Sequence, residues 1–137
     1  MQFNNVLYPI SLDSTNIAFV NKVLEAAELF ECRLHILYVN DEGAGYRYPA
    51  DHEDAVALKV KEVVPKEVLD KFTITYAVSK GDLAEEIFKY CKDNNIDLII
   101  TGHKHKNKLY TSLFDSPDVN IIDTINLPVL VIPKNDA

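Results

Sequence analysis

Gly102-His103-Lys104-His105, nine further residues and then Asp115-Ser116 form the stretch of this sequence best supplied with chemistry. His103, Lys104, His105, Lys106 and Lys108 gather basic groups in a chain whose formal net charge is -7. Such a cluster could hold an anion, phosphate above all, by charge, and its histidines would make it pH-sensitive near neutrality. A solvated loop is the plainer reading of the same residues. His103 and His105 could also begin a metal site, but the sequence fixes no third ligand beside them. Ser11, Asp13 and His103 are the sort of trio a hydrolase needs, yet nothing in their spacing requires them to meet. Neither a Gly-x-Ser-x-Gly elbow, a Gly-x-x-x-x-Gly-Lys-Ser/Thr loop nor a Cys-x-x-Cys pair occurs. No catalytic residue and no metal ligand is assigned, and binding or regulation is expected rather than enzymology.

Strands and helices must position these residues, and the chain alternates them. Asn5 to Ile10 is a short apolar run, read as a strand buried on both faces. Asp13-Ser14-Thr15 supplies N-cap residue types for a helix carrying Ile17, Phe19, Val20, Val23, Leu24, Ala27 and Phe30 at helical spacing. Leu34 to Val39 is a second buried strand, running into the polar, glycine-bearing loop Asn40 to Gly45. Asp51 to about Lys71 reads as a helix that Pro65 breaks or restarts. Phe72 to Val78 alternates only partly, which suits a strand nearer a sheet edge. Gly81-Asp82 turns into a helix through Ile87, Phe88 and Cys91. Asp97 to Thr101 is a fourth strand, Pro117 to Ile125 a short helix and Pro128 to Ile132 a fifth strand. Strands separated by helices favour a parallel sheet with helices on both faces. A doubly wound α/β fold is expected, as a single domain over residues 1–137.

Composition narrows the classes of partner. The net charge of -7 argues against general nucleic-acid binding, which needs a basic face to displace counterions. No apolar run approaches the roughly 20 residues of a membrane span, and Met1 to Asn5 lacks the basic start of a signal peptide. Cys32 and Cys91, both placed in helices by their surroundings, make neither a metal spacing nor a disulfide framework. A reduced, cytoplasmic setting is therefore expected.

The spacing from Gly102 through Ser116, closed by the strand Pro128-Val129-Leu130-Val131-Ile132-Pro133, resembles the C-terminal signature of the universal stress protein family. Val6-Leu7-Tyr8-Pro9, the stretch Gly81 to Ile87 and the run Asn95 to His103 are similar to further parts of that family, so the resemblance covers nearly the whole chain. It implies an adenine nucleotide alpha hydrolase-like fold with five parallel strands in the order 3-2-1-4-5. That order has a topological switch between the first and fourth strands, where open α/β sheets bind ligands at the carboxyl ends of strands. Ile10 to Asp13, Val39-Asn40 and Gly102 onward, after the fourth strand, are expected to face that crevice.

The resemblance also exposes departures. Nucleotide-binding members carry glycines where this chain has His105 and Asp115, and these glycines let backbone N–H groups approach phosphate closely. Gly102 and Ser116 match the pattern. His105 adds a side chain, and Asp115 brings a carboxylate to the start of the last helix. Those members usually have an Asp two residues after the proline of strand one, at the ribose. Counting from Pro9, that position is Ser11, and Asp13 lies two residues later, where helix capping explains it as well. The adenine site relies on backbone at the end of strand two, here Val39. The candidate nucleotide crevice is therefore Pro9, Ser11, Asp13, Val39, Gly102, His103, His105, Asp115 and Ser116, with degenerate phosphate contacts.

Three functions compete. The first is a stress-response or regulatory module, acting as a homodimer and through protein contacts without obligatory nucleotide or other cofactor. The second is a sensor that binds ATP with Mg²⁺, or AMP, through altered phosphate contacts. The third is a slow nucleotide hydrolase. The homodimer is expected on Val129, Leu130, Val131 and Ile132, because the implied order leaves this apolar strand at a sheet edge, with unpaired backbone groups that invite another strand.

Overall fold

The computed structural model describes residues 2–12, 16–40, 52–103 and 126–133. Its strands are β1 (Asn5–Pro9), β2 (Arg33–Asn40), β3 (Thr73–Lys80), β4 (Leu98–His103) and β5 (Val129–Pro133). They form one parallel sheet in the order β3-β2-β1-β4-β5, the order expected from the resemblance. The helices are α1 (Val20–Ala27), entered through a 3-10 turn at Ile17–Phe19, then α2 (Glu53–Val63), α3 (Lys66–Leu69) and α4 (Leu83–Asp93). Among the described residues no helix is long and apolar enough to cross a membrane.

Strand alternation divides the core into two layers. Val6, Tyr8, Leu34, Ile36, Tyr38, Leu98 and Ile100 point to the face covered by Val20, Val23 and Leu24 of α1 and by Val56 and Val60 of α2. Leu7, Leu37, Val39 and Ile99 point to the other, where Leu83, Ala84, Ile87 and Cys91 of α4 pack. Helices on both faces explain why β1, β2 and β4 read as continuous apolar runs. The partly alternating third strand is indeed at an edge, with Ile74, Tyr76 and Val78 half-buried against the α1–α2 layer.

Local chemistry sets the helix ends. Val64 precedes Pro65 and adopts φ -123°, ψ 126°, an extended conformation that stops α2, and Pro65 then caps α3. The Val63 carbonyl left open at that stop accepts from Asn21 Nδ2 of α1 at 3.1 Å. Asp82 caps α4 by accepting the Glu85 N–H at 3.0 Å, an arrangement worth about 1 kcal/mol.

Three expectations are corrected. The first helix ends at Ala27, ahead of Phe30, whose N–H donates to the Ala27 carbonyl across a tight turn while its ring meets Phe3 edge-on at 5.2 Å. Cys32 therefore lies in the connection just before β2, outside any helix. The fourth strand runs two residues beyond Thr101, because β5 continues to pair with it at Gly102 and His103. The Asp13-Ser14-Thr15 cap, the loop after Asn40 and the helix expected over Pro117 to Ile125 lie outside the described residues.

Candidate functional site

The crevice originates in how two central strands pair. The ladder between β1 and β4 holds Val6–Leu98 and Leu7–Ile99 and goes no further. Past it each strand follows its outer neighbour. Pro9 pairs with Leu37 of β2, and the Ile10 N–H donates to the Leu37 carbonyl at 2.9 Å. Thr101, Gly102 and His103 pair with Val131, Ile132 and Pro133 of β5. The carboxyl ends of β1 and β4 thus flank the point where the strand order reverses, the usual place for a ligand in a sheet of this kind.

The residues expected to face this point divide into three groups. Pro9 is the buried last residue of β1, and Ser11, two residues on, is half-buried between buried Ile10 and Leu12. Val39 and Asn40 close β2 and are buried, and the Asn40 carbonyl accepts the Gly81 N–H at 3.0 Å. Gly102 is buried within β4 and His103 ends it, so both belong to the strand and not to the loop after it. Pro9, Ser11, Val39, Gly102 and His103 therefore lie at or just past the carboxyl ends of three neighbouring strands. Asp13, His105, Asp115 and Ser116 lie outside the described residues, and with them most of the basic cluster and three of the four positions of the phosphate pattern.

Sequence reasoning passed over Thr101. It is 1% exposed, on the same face of β4 as Ile99, and its hydroxyl is the buried side-chain polar atom left without a partner among the described residues. A hydroxyl in that state can still accept and donate. A threonine closing an apolar strand run was the only signal available. Among the described residues no three His, Cys, Asp or Glu side chains gather as a metal site would require.

Burial pushes the Cys91 thiol up to about 12, and raises Cys32 and Tyr76 as well. His52 caps α2 through Nδ1, which accepts the Asp54 N–H at 3.2 Å, a structural role.

The profile of the universal stress protein family matches residues 2–133. A universal stress protein of Methanocaldococcus jannaschii is 34% identical over 77 residues, 56% of this chain and 48% of that protein. The matched stretch thus spans about half the length of this curated relative. Among solved structures, universal stress protein UspA from Lactobacillus plantarum has a TM-score of 0.64 at 22% identity, covering 96% of this chain and 99% of that one. A universal stress family protein of Arabidopsis thaliana with AMP bound has a TM-score of 0.63 at 14% identity, covering 97% and 93%. At these identities the structural likenesses establish the fold.

Proposed function

The chain belongs to the universal stress protein family, and we propose that it serves there as a stress-response or regulatory module, a homodimer with no obligatory ATP. The observation that carries this reading is Ser11. It stands two residues after Pro9 at the carboxyl end of β1, where the nucleotide-binding pattern has an acid for the ribose. A hydroxyl offers one donor and weak acceptors where a carboxylate would take two charge-assisted bonds. His105 and Asp115 in place of glycines act in the same direction, removing close backbone approach and adding negative charge beside a phosphate.

The free edge of β5 supports the dimer. Val129, Leu130, Val131 and Ile132 are half-buried within one chain, with Leu130 and Ile132 packed on one layer and Val129 on the other. Burial of both faces accounts for their side chains, and among the described residues no strand pairs with the outward backbone groups. Pro128 and Pro133 limit the strand, which suits a closed two-fold pair over open-ended addition. A regulatory protein partner would read such a dimer; the acidic surface disfavours nucleic acid.

A second reading, a nucleotide sensor with altered phosphate contacts, is favoured by two observations. The Arabidopsis relative carries AMP, and Val39 lies one residue before the end of β2, where the family resemblance places backbone recognition of adenine. Extraction of the purified protein, followed by nucleotide chromatography, tests the two readings. Protein free of nucleotide is expected; stoichiometric retained ATP or AMP would establish the sensor instead.

A further inference from the structure

At the opposite end of the sheet from the crevice, a histidine is held inside the α4 layer. His35 is 5% exposed, on β2, with its ring edge-on to Tyr90 of α4 at 5.6 Å between centroids and 74° between planes. Its Nδ1 lies 2.7 Å from the Tyr90 hydroxyl and its Nε2 lies 3.1 Å from Asn5 Oδ1 of β1. The Asn5 oxygen can only accept, so Nε2 carries the proton and donates it. Nδ1 is then the bare nitrogen that accepts the Tyr90 O–H. Every hydrogen bond of the ring is made by the neutral form, in one tautomer.

A second proton is costly in this arrangement. It would sit on Nδ1, force the Tyr90 hydroxyl to turn from donor to acceptor, and bury a positive charge that this neutral hydroxyl cannot offset. The groups facing the ring offer little relief. On β2, Arg33 is two residues away on the same face and adds a like charge. The register neighbours Leu7 on β1 and Thr75 on β3 carry no charge. On α4, Tyr90 and Cys91 are held neutral by burial, which raises both. The carboxylate beside Asn5 is Asp97, and its Oδ2 already accepts the N–H groups of Asn4 and Asn5, each at 2.9 Å.

We propose that the His35–Tyr90 contact is an acid-sensitive latch, which fastens α4 to the sheet at neutral pH and releases its C-terminal half when His35 takes up a proton. Desolvation first, and Arg33 second, hold the ring below the ordinary imidazole range, in keeping with a neutral latch. The release reaches the crevice through the same helix. α4 starts at Leu83, and just ahead of it the Gly81 N–H is bonded to the Asn40 carbonyl at the carboxyl end of β2. A module of this family built in this way would register intracellular acidification with or without a nucleotide, so the latch stands apart from the function proposed above.

Amide hydrogen exchange at Ile87 to Cys91, corrected for the intrinsic rate, tests the latch between pH 7.5 and pH 5. The wild-type chain is expected to lose about tenfold or more in protection, the amount that one unit of His titration supplies. His35→Gln keeps an acceptor for Tyr90 and a donor for Asn5 without titrating, and is expected to hold its protection constant across the window. Equal loss in both proteins, or no loss in the wild type, would overturn the latch. Should the variant not fold, imidazole ¹⁵N signals of the wild type decide. The Nε2–H tautomer at pH 7.5, and protonation in step with a shift of the Tyr90 ring signals, are expected. Protonation that leaves Tyr90 unmoved would overturn the latch as surely.

Discussion

Asp97 and Asn5 clasp each other at the foot of the sheet. The Asp97 Oδ2 accepts the Asn5 N–H at 2.9 Å, and the Asp97 N–H donates to the Asn5 carbonyl at 2.7 Å. The same carboxylate oxygen takes the Asn4 N–H at 2.9 Å. β1 and β4 share only two register pairs, so this clasp carries much of what aligns the two strands that flank the crevice. Asp97→Ala is expected to cost about 1–2 kcal/mol in chemical denaturation, since a charged acceptor of two backbone donors is lost. Asp97→Asn, which keeps an oxygen there, should cost less. An unchanged midpoint for Asp97→Ala would mean that water replaces the clasp without loss.

Gly81 joins the end of β3 to the start of α4 with φ +148°, a backbone conformation that other residues rarely adopt. A Cβ there would also stand 3.2 Å from Glu86 Cγ, although that side chain can move. The backbone term dominates. Gly81→Ala is expected to destabilise the fold by about 1–3 kcal/mol, read as a lowered urea midpoint.

Two thiols give a contrast in reactivity. Cys91 is 4% exposed, with a thiol pushed up to about 12, whereas Cys32 is half-buried before β2. The thiolate is the nucleophile, so at pH 8 Cys32 should be alkylated first and Cys91 only on unfolding. The folded-state value of Cys91 lies above its ordinary 9.0, so its neutral thiol supports the fold below pH 9 and loses that contribution as pH rises toward 12. Peptide mapping after limited alkylation checks the order of modification.

The outer edge of β5, where the dimer is proposed, can be tested apart from its internal contact with β4. Pro128 gives its carbonyl to the Ile99 N–H at 3.1 Å, so by strand alternation Leu130 and Ile132 also turn their backbone groups toward β4. Val129 and Val131 turn theirs outward. Val131→Pro should therefore remove a donor from the free edge alone and yield a folded monomer in light scattering. Leu130→Pro breaks the ladder to β4 and should unfold the chain. A wild-type monomer at micromolar concentration, or a Val131→Pro dimer, would show that another surface pairs.

Much of this architecture was legible because burial on both faces leaves a plain mark. Leu34 to Val39 and Asp97 to Thr101 are nearly unbroken apolar runs, and Pro65 announced the stop of α2. Periodicity did not supply the strand order; the family resemblance did. The sequence misplaced Cys32, because Phe30 continues the apolar spacing of α1 past the residue where the helix ends. It passed over Thr101 and Tyr90, whose importance depends on what lies across the sheet or on a neighbouring strand. His35 sits inside the buried run Leu34 to Val39, and its partners Asn5 and Tyr90, 30 and 55 residues away, could not be read from spacing.

Calorimetric titration with ATP and Mg²⁺ tests the central claim most directly, on the wild type and on His105→Gly with Asp115→Gly. The wild type is expected to show weak binding or none. The double variant should gain affinity, because it restores the two glycines of the nucleotide-binding pattern and removes a negative charge. Tight, Mg²⁺-dependent binding by the wild type would contradict the account.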